Sequence, residues 1–339
     1  MLVLSRKLNP SQMPTLFNDA LLQLLACPHD QTKLRVEHGA LVCGRAHRFA
    51  CENGIPIFAE TPRREPIPLN MGPCSPPVNG GAFAQPEQQI DSFVNDWIVN
   101  TNGNLYWRAR GRLPRYPIPA WPTGPGKGKV LIDIGCSWGR WCIASARAGF
   151  VPIGTDVHID ALAAATRVSR QLGVRADFVC SDAEHLPFQP ASVDCVFSYS
   201  VLQHLDKSKV RRIFQEIVRV LKPSGFCVIQ LPNAFGLLSA AQQIRRGFRE
   251  AKSGTFEMRY WAHATIRRAL EQAGFSKIAI HADGFFSQNP QLSDLDLLSP
   301  AGRLLVRTSS AARKAADLFP IFTHVADSLW IEAQTRVSG

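Results

Sequence analysis

VLIDIGCSWGRW, residues 130–141, decides the reading of this chain. Val130–Ile134 has the length and apolar run of a buried strand. Gly135 and Gly139 come next, and GRWCIASARAG (139–149) reads as a helix that ends at Gly149. Glycines between a strand and a helix let the backbone turn tightly and approach a ligand. Working outward, the same alternation continues. VPIGTD (151–156) reads as a strand and IDALAAATRVSRQLG (159–173) as a helix ending at Gly173. ADFVCSD (176–182) and SVDCVFSYS (192–200) read as strands, and SKVRRIFQEIVRVLK (208–222) as a helix stopped by Pro223. GFCVIQLP (225–232) is a strand, ATIRRALEQAGF (264–275) a helix, and SKIAIHAD (276–283) and SLWIEAQ (328–334) are the last strands. Alternating strands and helices imply an α/β fold, a parallel sheet covered by helices on both faces.

Acids placed at strand ends sharpen the loop. Asp156 ends the second strand, 23 residues after Asp133, where a carboxylate can accept from a ribose diol. Asp182 ends the third strand, where it can accept an amino proton of adenine or cap the next helix. Carboxyl ends of parallel strands gather around one crevice, so these acids converge there. The loop is not G-x-G-x-x-G: it runs Gly135-Cys-Ser-Trp-Gly139, carries Trp138, and follows Asp133, an acid that repels phosphate. A cationic nucleoside with an amino-acid tail, S-adenosylmethionine, fits this better than a dinucleotide. Trp138 and Trp141 read equally well as core residues.

VLIDIGCSWG, GTDVHIDAL, CSDAEHLPFQPASVDCVFSYSVLQHL, EIVRVLKPSGFCVIQLPN and RYWAHATIRRALEQAGF stand in order between residues 129 and 334. Together they resemble class I S-adenosylmethionine-dependent methyltransferases, in the subgroup containing the ubiquinone/menaquinone-biosynthesis enzymes. The resemblance implies a Rossmann-like seven-stranded sheet of order 3-2-1-4-5-7-6 with the last strand antiparallel. It implies that Asp133, Gly135, Cys136 and Gly139 line the methionine and ribose side. It further implies that Asp156 and Val157 meet the ribose, Asp182 and Ala183 the adenine, and Ser198 the methionine end. The family's third loop glycine is Ser137 here.

Methyl transfer depends chiefly on alignment, and a general base is needed only if the acceptor must lose a proton. His204, in SYSVLQHLD just after the fourth strand, is the candidate base, against a packing or helix-start role. There is no N/D-P-P-Y/F/W and no Pro-Cys at that point, which disfavours adenine-amine and cytosine-C5 methylation. Cys136 and Cys142 read as packing cysteines. TNGNLYWRARGRLPRYPIP (101–119) offers Tyr106, Trp107, Arg108 and Tyr116 as a lid over cofactor and acceptor, or as a packing arm. Arg245, Arg246, Arg249, Lys252 and Arg259 suit an anionic substrate group or simply a solvated face. AGRLLVRTSSAARKAADLF (301–319) is basic and amphipathic, suited to a membrane surface or to packing on the domain.

The amino-terminal part has its own signals: a short helix over 16–26, then β-rich runs separated by Gly39 and Asn53-Gly54. With LLACP and NGIPIF at its ends, it resembles the zinc-ribbon-like activator subunit of tRNA and release-factor methyltransferases. A related ribbon precedes the catalytic domain of 23S rRNA guanine-N1 methyltransferases. Four ligands in paired spacing would be Cys27, Asp30, Cys43 and His47, with Cys51 and His29 spare. Without a metal, Leu34, Val42, Phe49, Ile55 and Ile57 would hold the ribbon. The expected organisation is a module over 15–60, a Pro/Gly-rich extended linker over 61–85, a helical and aromatic lid segment over 86–128, and the methyltransferase domain over 129–339.

The chain has 339 residues, 45% hydrophobic and 19% charged, ordinary for a globular protein and too apolar for a disordered one. No apolar run reaches the ~20 residues of a membrane span, and residues 1–14 lack a signal-peptide pattern. Nine cysteines, an odd number scattered through strand-like segments, suit reduced thiols in a cytoplasmic protein. The net charge of +11 favours anionic partners. Three functions compete: a methyltransferase acting at O or C of a small or lipid-linked metabolite, an RNA methyltransferase gripping phosphates with ribbon and basic surface, and a non-catalytic adaptor. Fold alone does not choose the acceptor.

Overall fold

A computed structural model describes residues 18–64, 90–101, 106, 113–286, 295–296 and 298–336. The central sheet contains β6 (Val130–Ile134), β7 (Val151–Asp156), β8 (Asp177–Cys180), β9 (Val193–Ser198), β10 (Leu221–Pro232), β11 (Phe275–Gly284) and β12 (Ser328–Thr335). Its order is β8-β7-β6-β9-β10-β12-β11, with β12 antiparallel to both β10 and β11. Numbered from β6, this is the expected 3-2-1-4-5-7-6.

Strand alternation sends neighbouring residues to opposite faces. Ile132, Ile134, Val196, Ile229 and Ile331 meet Ile213, Phe214 and Ile217 of α5 (Lys207–Val220) and Ile266 and Leu270 of α7 (His263–Ala273). Leu131, Cys195, Phe197 and Val228 meet Trp141 and Ala144 of α3 (Arg140–Arg147) on the other face. Each fully buried side chain of this size contributes roughly 1.5–3 kcal/mol. Trp138 and Trp141 are both core residues. Helix α5 ends at Val220, and Pro223 falls inside β10, where the ladder to β9 shifts register between Leu221 and Phe226. An irregular stretch tolerates a residue without an N–H.

The amino-terminal residues form α1 (Asp19–Leu24), the antiparallel β1 (Leu34–Glu37), β2 (Ala40–Cys43) and β3 (Arg48–Phe49), and the hairpin β4 (Cys51–Glu52) and β5 (Ile55–Pro56). The Asn53-Gly54 turn has both residues at positive φ, 52° and 83°, the twist that suits a two-residue hairpin. This module is docked on the sheet rather than tethered to it. Ala26 N donates to Pro187 O at 2.9 Å and Gln189 N to Leu24 O at 2.8 Å. Phe58 N and Ala59 N both donate to Cys180 O, and Ile57 bridges Cys180 in parallel. The module thereby covers the outer edge of β8, which would otherwise present unpaired backbone groups. Its apolar residues Leu21, Leu25, Leu41, Phe49 and Phe58 share one core with Val179, Leu186 and Phe188.

The expected extended linker does not begin at residue 61. Arg63 N donates to Val157 O at 2.8 Å and Arg63 O accepts from Ile159 N at 2.9 Å. The Arg64 guanidinium sits 2.7 Å from Glu52 and 3.6 Å from Asp160. Main-chain pairing therefore carries the docking through residue 64; residues 65–85 lie outside the described residues. From the segment expected as a lid, α2 (Ser92–Thr101) packs on α4 (Ile159–Gln171) through Val94, Trp97 and Ile98 against Ala161, Ala164 and Val168.

Phe188 is fully buried where module and sheet meet. Phe188→Ala is expected to lower unfolding stability by about 3–5 kcal/mol. Urea unfolding, followed by far-UV circular dichroism and by tryptophan fluorescence, should show one shared transition in both proteins. Two separated transitions in the native chain would mean that the module folds on its own.

Candidate functional site

The loop after β6 is held from beneath by β7. Gly135 N and Cys136 N both donate to Thr155 O, at 2.8 and 3.0 Å, and Ser137 N donates to Asp156 Oδ2 at 2.9 Å. Gly135 and Gly139 have φ of +72° and +80°, which side chains disfavour. A Cβ on Gly135 would stand 2.4 Å from a Val201 methyl carbon, so the loop after β9 closes directly over this glycine. Gly139 then leads into α3, and its N–H donates to Cys136 O at 2.9 Å.

The acids sit as the strand ends dictate. Asp133 is buried, and Cys142 Sγ donates to its Oδ2 at 3.4 Å. Burial chiefly, with the nearby Asp156 charge, pushes its carboxyl up to about 7. Asp156 Oδ1 accepts from His158 N at 2.9 Å and contacts His158 Nδ1 at 3.1 Å. With Ser137 N on Oδ2, three of about four acceptor positions of this carboxylate are engaged. Val157 O accepts from Arg63 N. Asp182 is exposed; its Oδ1 accepts from Glu184 N at 2.9 Å, a local turn, beside half-buried Ala183. Ser198 is buried and its hydroxyl donates to Ile134 O at 3.2 Å, joining the ends of β9 and β6. Cys136 is buried, and burial pushes its thiol well above the ordinary range, with Cys142 pushed to about 11 for the same reason. Neither is a ready nucleophile at neutral pH.

The structure places the remaining candidates as follows. His204 lies in the turn Leu202–His204, its ring stacked on Phe256 with centroids 3.8 Å apart. Burial holds its imidazole down to about 4. Such a histidine is neutral at pH 7 but a weak proton acceptor, which weights the packing role. Tyr106 and Tyr116 are buried in the cluster that joins α2 to α4. The Tyr116 hydroxyl donates to Gln171 Oε1 at 2.6 Å and accepts from Asp91 N at 2.9 Å, so it works there as a strut. Arg108 and Trp107 lie outside the described residues. Arg259 is buried, donating to the carbonyls of His204, Thr255, Glu257 and Lys252 and pairing with Asp206 at 2.7 Å. It organises the 252–259 loop instead of facing a substrate.

Two groups escaped the sequence reading. His158 orients Asp156, with Trp97 of α2 edge-on at 6.0 Å. At the far end of the crevice Asp283 accepts from Ser328 Oγ at 2.7 Å and Tyr199 OH at 3.2 Å. Gln230 Nε2 donates to Ser328 Oγ at 2.7 Å. Asp283 ends a strand, the same signal that singled out Asp156 and Asp182.

In the amino-terminal module, Cys27, Asp30, Cys43 and His47 bring four ligand atoms within 4.8 Å of one another. His47 Nδ1 stands 3.4 Å from Cys27 Sγ, 3.3 Å from Cys43 Sγ and 3.3 Å from Asp30 Oδ2. Thr32 N and Oγ1 both donate to Asp30 Oδ1 and fix the carboxylate, holding it well below the usual range.

Residues 131–225 match the family described as methyltransferase domain. The chain is 30% identical over 198 residues to the uncharacterized methyltransferase sll0829 of Synechocystis, covering 56% of this chain and 87% of that one. The chain belongs to this methyltransferase family. It is 32% identical over 149 residues to the biotin biosynthesis bifunctional protein BioHC of Cellvibrio japonicus, 44% of this chain and 28% of that one. It is 32% identical over 162 residues to a ubiquinone biosynthesis O-methyltransferase of Ralstonia nicotianae, 46% of this chain and 64% of that one. The chain thus spans less than two-thirds of the length of these last two relatives. Among solved structures, the [4+2]-cyclase SpnF aligns with a TM-score of 0.42 at 23% identity, over 65% of this chain and 78% of that one.

The Asp133 carboxyl gives a pH signature. The native state keeps a proton up to about pH 7 that the unfolded chain releases near its ordinary value of 3.8. Its contribution is therefore complete below about pH 4 and is lost as pH rises to about 7, by at most roughly 1.4 kcal/mol per pH unit. Asp133→Asn is expected to gain stability relative to the native protein over that window, measured as urea midpoints at several pH values. A difference independent of pH would show that Asp133 ionises normally.

Proposed function

We propose that this chain is an S-adenosylmethionine-dependent methyltransferase acting at oxygen or carbon of a small or lipid-linked metabolite. The observation that carries the reading is the glycine loop clasped between Asp133 and Asp156 at the carboxyl ends of adjacent strands. Its donor set fits the cofactor. Asp156, oriented by Ser137 N and His158, retains acceptor capacity for a ribose hydroxyl. Asp182 and Ala183 stand at the end of β8 for the adenine. Buried Asp133 suits the cationic methionine end, whose positive charge would draw its carboxyl back to the ionised form. The bound cofactor supplies an electrophilic methyl group, and the chain supplies alignment and exclusion of water. Family relatives named as ubiquinone and malonyl-acyl-carrier O-methyltransferases favour an O-directed reaction on a metabolite. His204 as a general base remains part of this proposal only for an acceptor that must lose a proton.

The expected result is S-adenosylmethionine binding in calorimetry, weakened at least about tenfold in Asp156→Ala by loss of a hydrogen bond to charge. Binding should also release protons near pH 6, seen as a dependence of the heat on buffer ionisation. A folded native chain that binds neither S-adenosylmethionine nor S-adenosylhomocysteine would sink the enzyme reading and favour the adaptor.

The second reading is RNA methylation, favoured by the basic surplus and by the ribbon docked beside the same crevice. RNA binding that falls steeply with salt would support it. The ribbon itself is proposed to hold a structural zinc ion through Cys27, Asp30, Cys43 and His47. Tetrahedral zinc with bonds of about 2.0–2.3 Å sets ligand atoms about 3.3–3.8 Å apart; His47 Nδ1 stands 3.3–3.4 Å from each of the other three, and all four atoms lie within 4.8 Å of one another. Elemental analysis of the purified chain should find one zinc per molecule, lost in Cys43→Ser together with thermal stability. A metal-free native protein whose stability is indifferent to Cys43→Ser would leave a ribbon held by its apolar residues alone.

A further inference from the structure

Two adjacent segments on one rim of the sheet carry large apolar side chains into solvent. The first is residue 235 onward through α6 (Leu237–Arg245), where Phe235 is 63% exposed and Ile244 64%. The second is the end of α8 (Pro300–Leu318) with the following turn, where Leu318 is 76% exposed and Ile321 74%. They spring from paired strand ends, Pro232 of β10 and Ser328 of β12. Buried Asp327 locks them together: its Oδ1 accepts from Leu238 N and Ser239 N at 2.8 and 2.9 Å, and its Oδ2 from Phe286 N at 2.7 Å. Asn233 Nδ2 donates to His324 O and Ala326 O, both at 2.8 Å. The apolar side chains are therefore fixed on a rigid base, not carried on loose ends.

The charge around this surface is predominantly positive. Residues 233–252 and 300–325 hold eight lysines and arginines against two acids, Glu250 and Asp317. Arg245, Arg249, Lys252, Arg307 and Lys314 are exposed. We infer that this rim is an interfacial docking surface for an anionic phospholipid bilayer. Protruding apolar residues flanked by cations are what inserts at the headgroup boundary of such a membrane. A second copy of the chain would bring two like-charged surfaces together. A nucleic acid would use the cations and could stack bases on Phe235 or Phe319, but it leaves the aliphatic Leu237, Ile244, Leu318 and Ile321 in water, where a bilayer would bury them. The surface lies at the carboxyl end of β10, the end of the sheet that carries the glycine loop and Ser198. A docked bilayer would thus face the same rim as the proposed cofactor crevice. The docking itself does not rest on methyl transfer.

The test is co-sedimentation of the full chain with vesicles of phosphatidylcholine alone and of phosphatidylcholine mixed with phosphatidylglycerol. The expected result is binding to the anionic vesicles only, released by high salt. Ile244→Asp with Ile321→Asp, and separately Arg245→Glu with Arg249→Glu, should each weaken it by about tenfold or more. All four side chains are exposed, so the variants should fold, which circular dichroism checks. Absence of native binding to anionic vesicles overturns the inference, as does binding unchanged in both variants. So does a concentration-dependent dimer abolished by the first pair, which would assign the rim to self-association. RNA binding lost in both pairs, with no vesicle binding, would assign it to nucleic acid.

Discussion

Everything near the crevice depends on one backbone clasp: Thr155 O accepting from Gly135 N and Cys136 N, with Asp156 Oδ2 accepting from Ser137 N. These three bonds tie a loop with positive φ at Gly135, Ser137 and Gly139 to the end of the parallel neighbour strand β7. The clasp sets where α3 begins. It also sets which side of the loop faces α2, whose Thr101 hydroxyl reaches Ser137 Oγ at 3.4 Å. Trp138 can then be wholly buried although it sits in the glycine loop, because α2 and α4 close over it. Gly135 and Gly139 adopt positive φ freely, so the strain this arrangement carries is that of Ser137, φ 49°, and buried apolar contacts around the loop offset it.

Legibility of the sequence followed the range of the interaction. Strand–helix alternation was plain because burial on both faces leaves apolar runs punctuated by glycine, and the sheet order came through the family resemblance. The acids at strand ends were legible because topology fixes where strands end. His158 was not, since its part depends on the backbone doubling back so that ring and N–H meet the same carboxylate. Tyr116, from its aromatic, basic surroundings, read as a lid residue or as part of a packing arm. Its hydroxyl closes a bond to Gln171, 55 residues away, which favours the packing arm and which no local pattern announces. Arg259 shows the same limit: one guanidinium buried among four carbonyls looks, in sequence, like any other surface arginine.

The amino-terminal module is where local reading failed most instructively. Its turns and candidate ligands were visible as short-range spacing, and its main-chain docking on the sheet was not. The backbone runs from the ribbon onto Cys180 through Phe58 and Ala59, and onto Val157 through Arg63. Val157 adjoins Asp156, and Cys180 pairs with Asp156 across the β7–β8 ladder. The module thus holds both strands whose ends present Asp156 and Asp182.

This geometry makes the ribbon part of the crevice's foundation. An edge strand as short as β8, four residues, has little ladder of its own, and one of its two sides would face solvent without the module. Pairing that side lowers the strand's freedom to fray, and fraying at β8 would first disturb its ends, beside Asp182 and Ala183. The Cys27–Asp30–Cys43–His47 cluster sits in the same module and shares its apolar core with Phe188 and Val179 of the sheet. Whatever tightens that cluster tightens β8, and through β8 the position of Asp156.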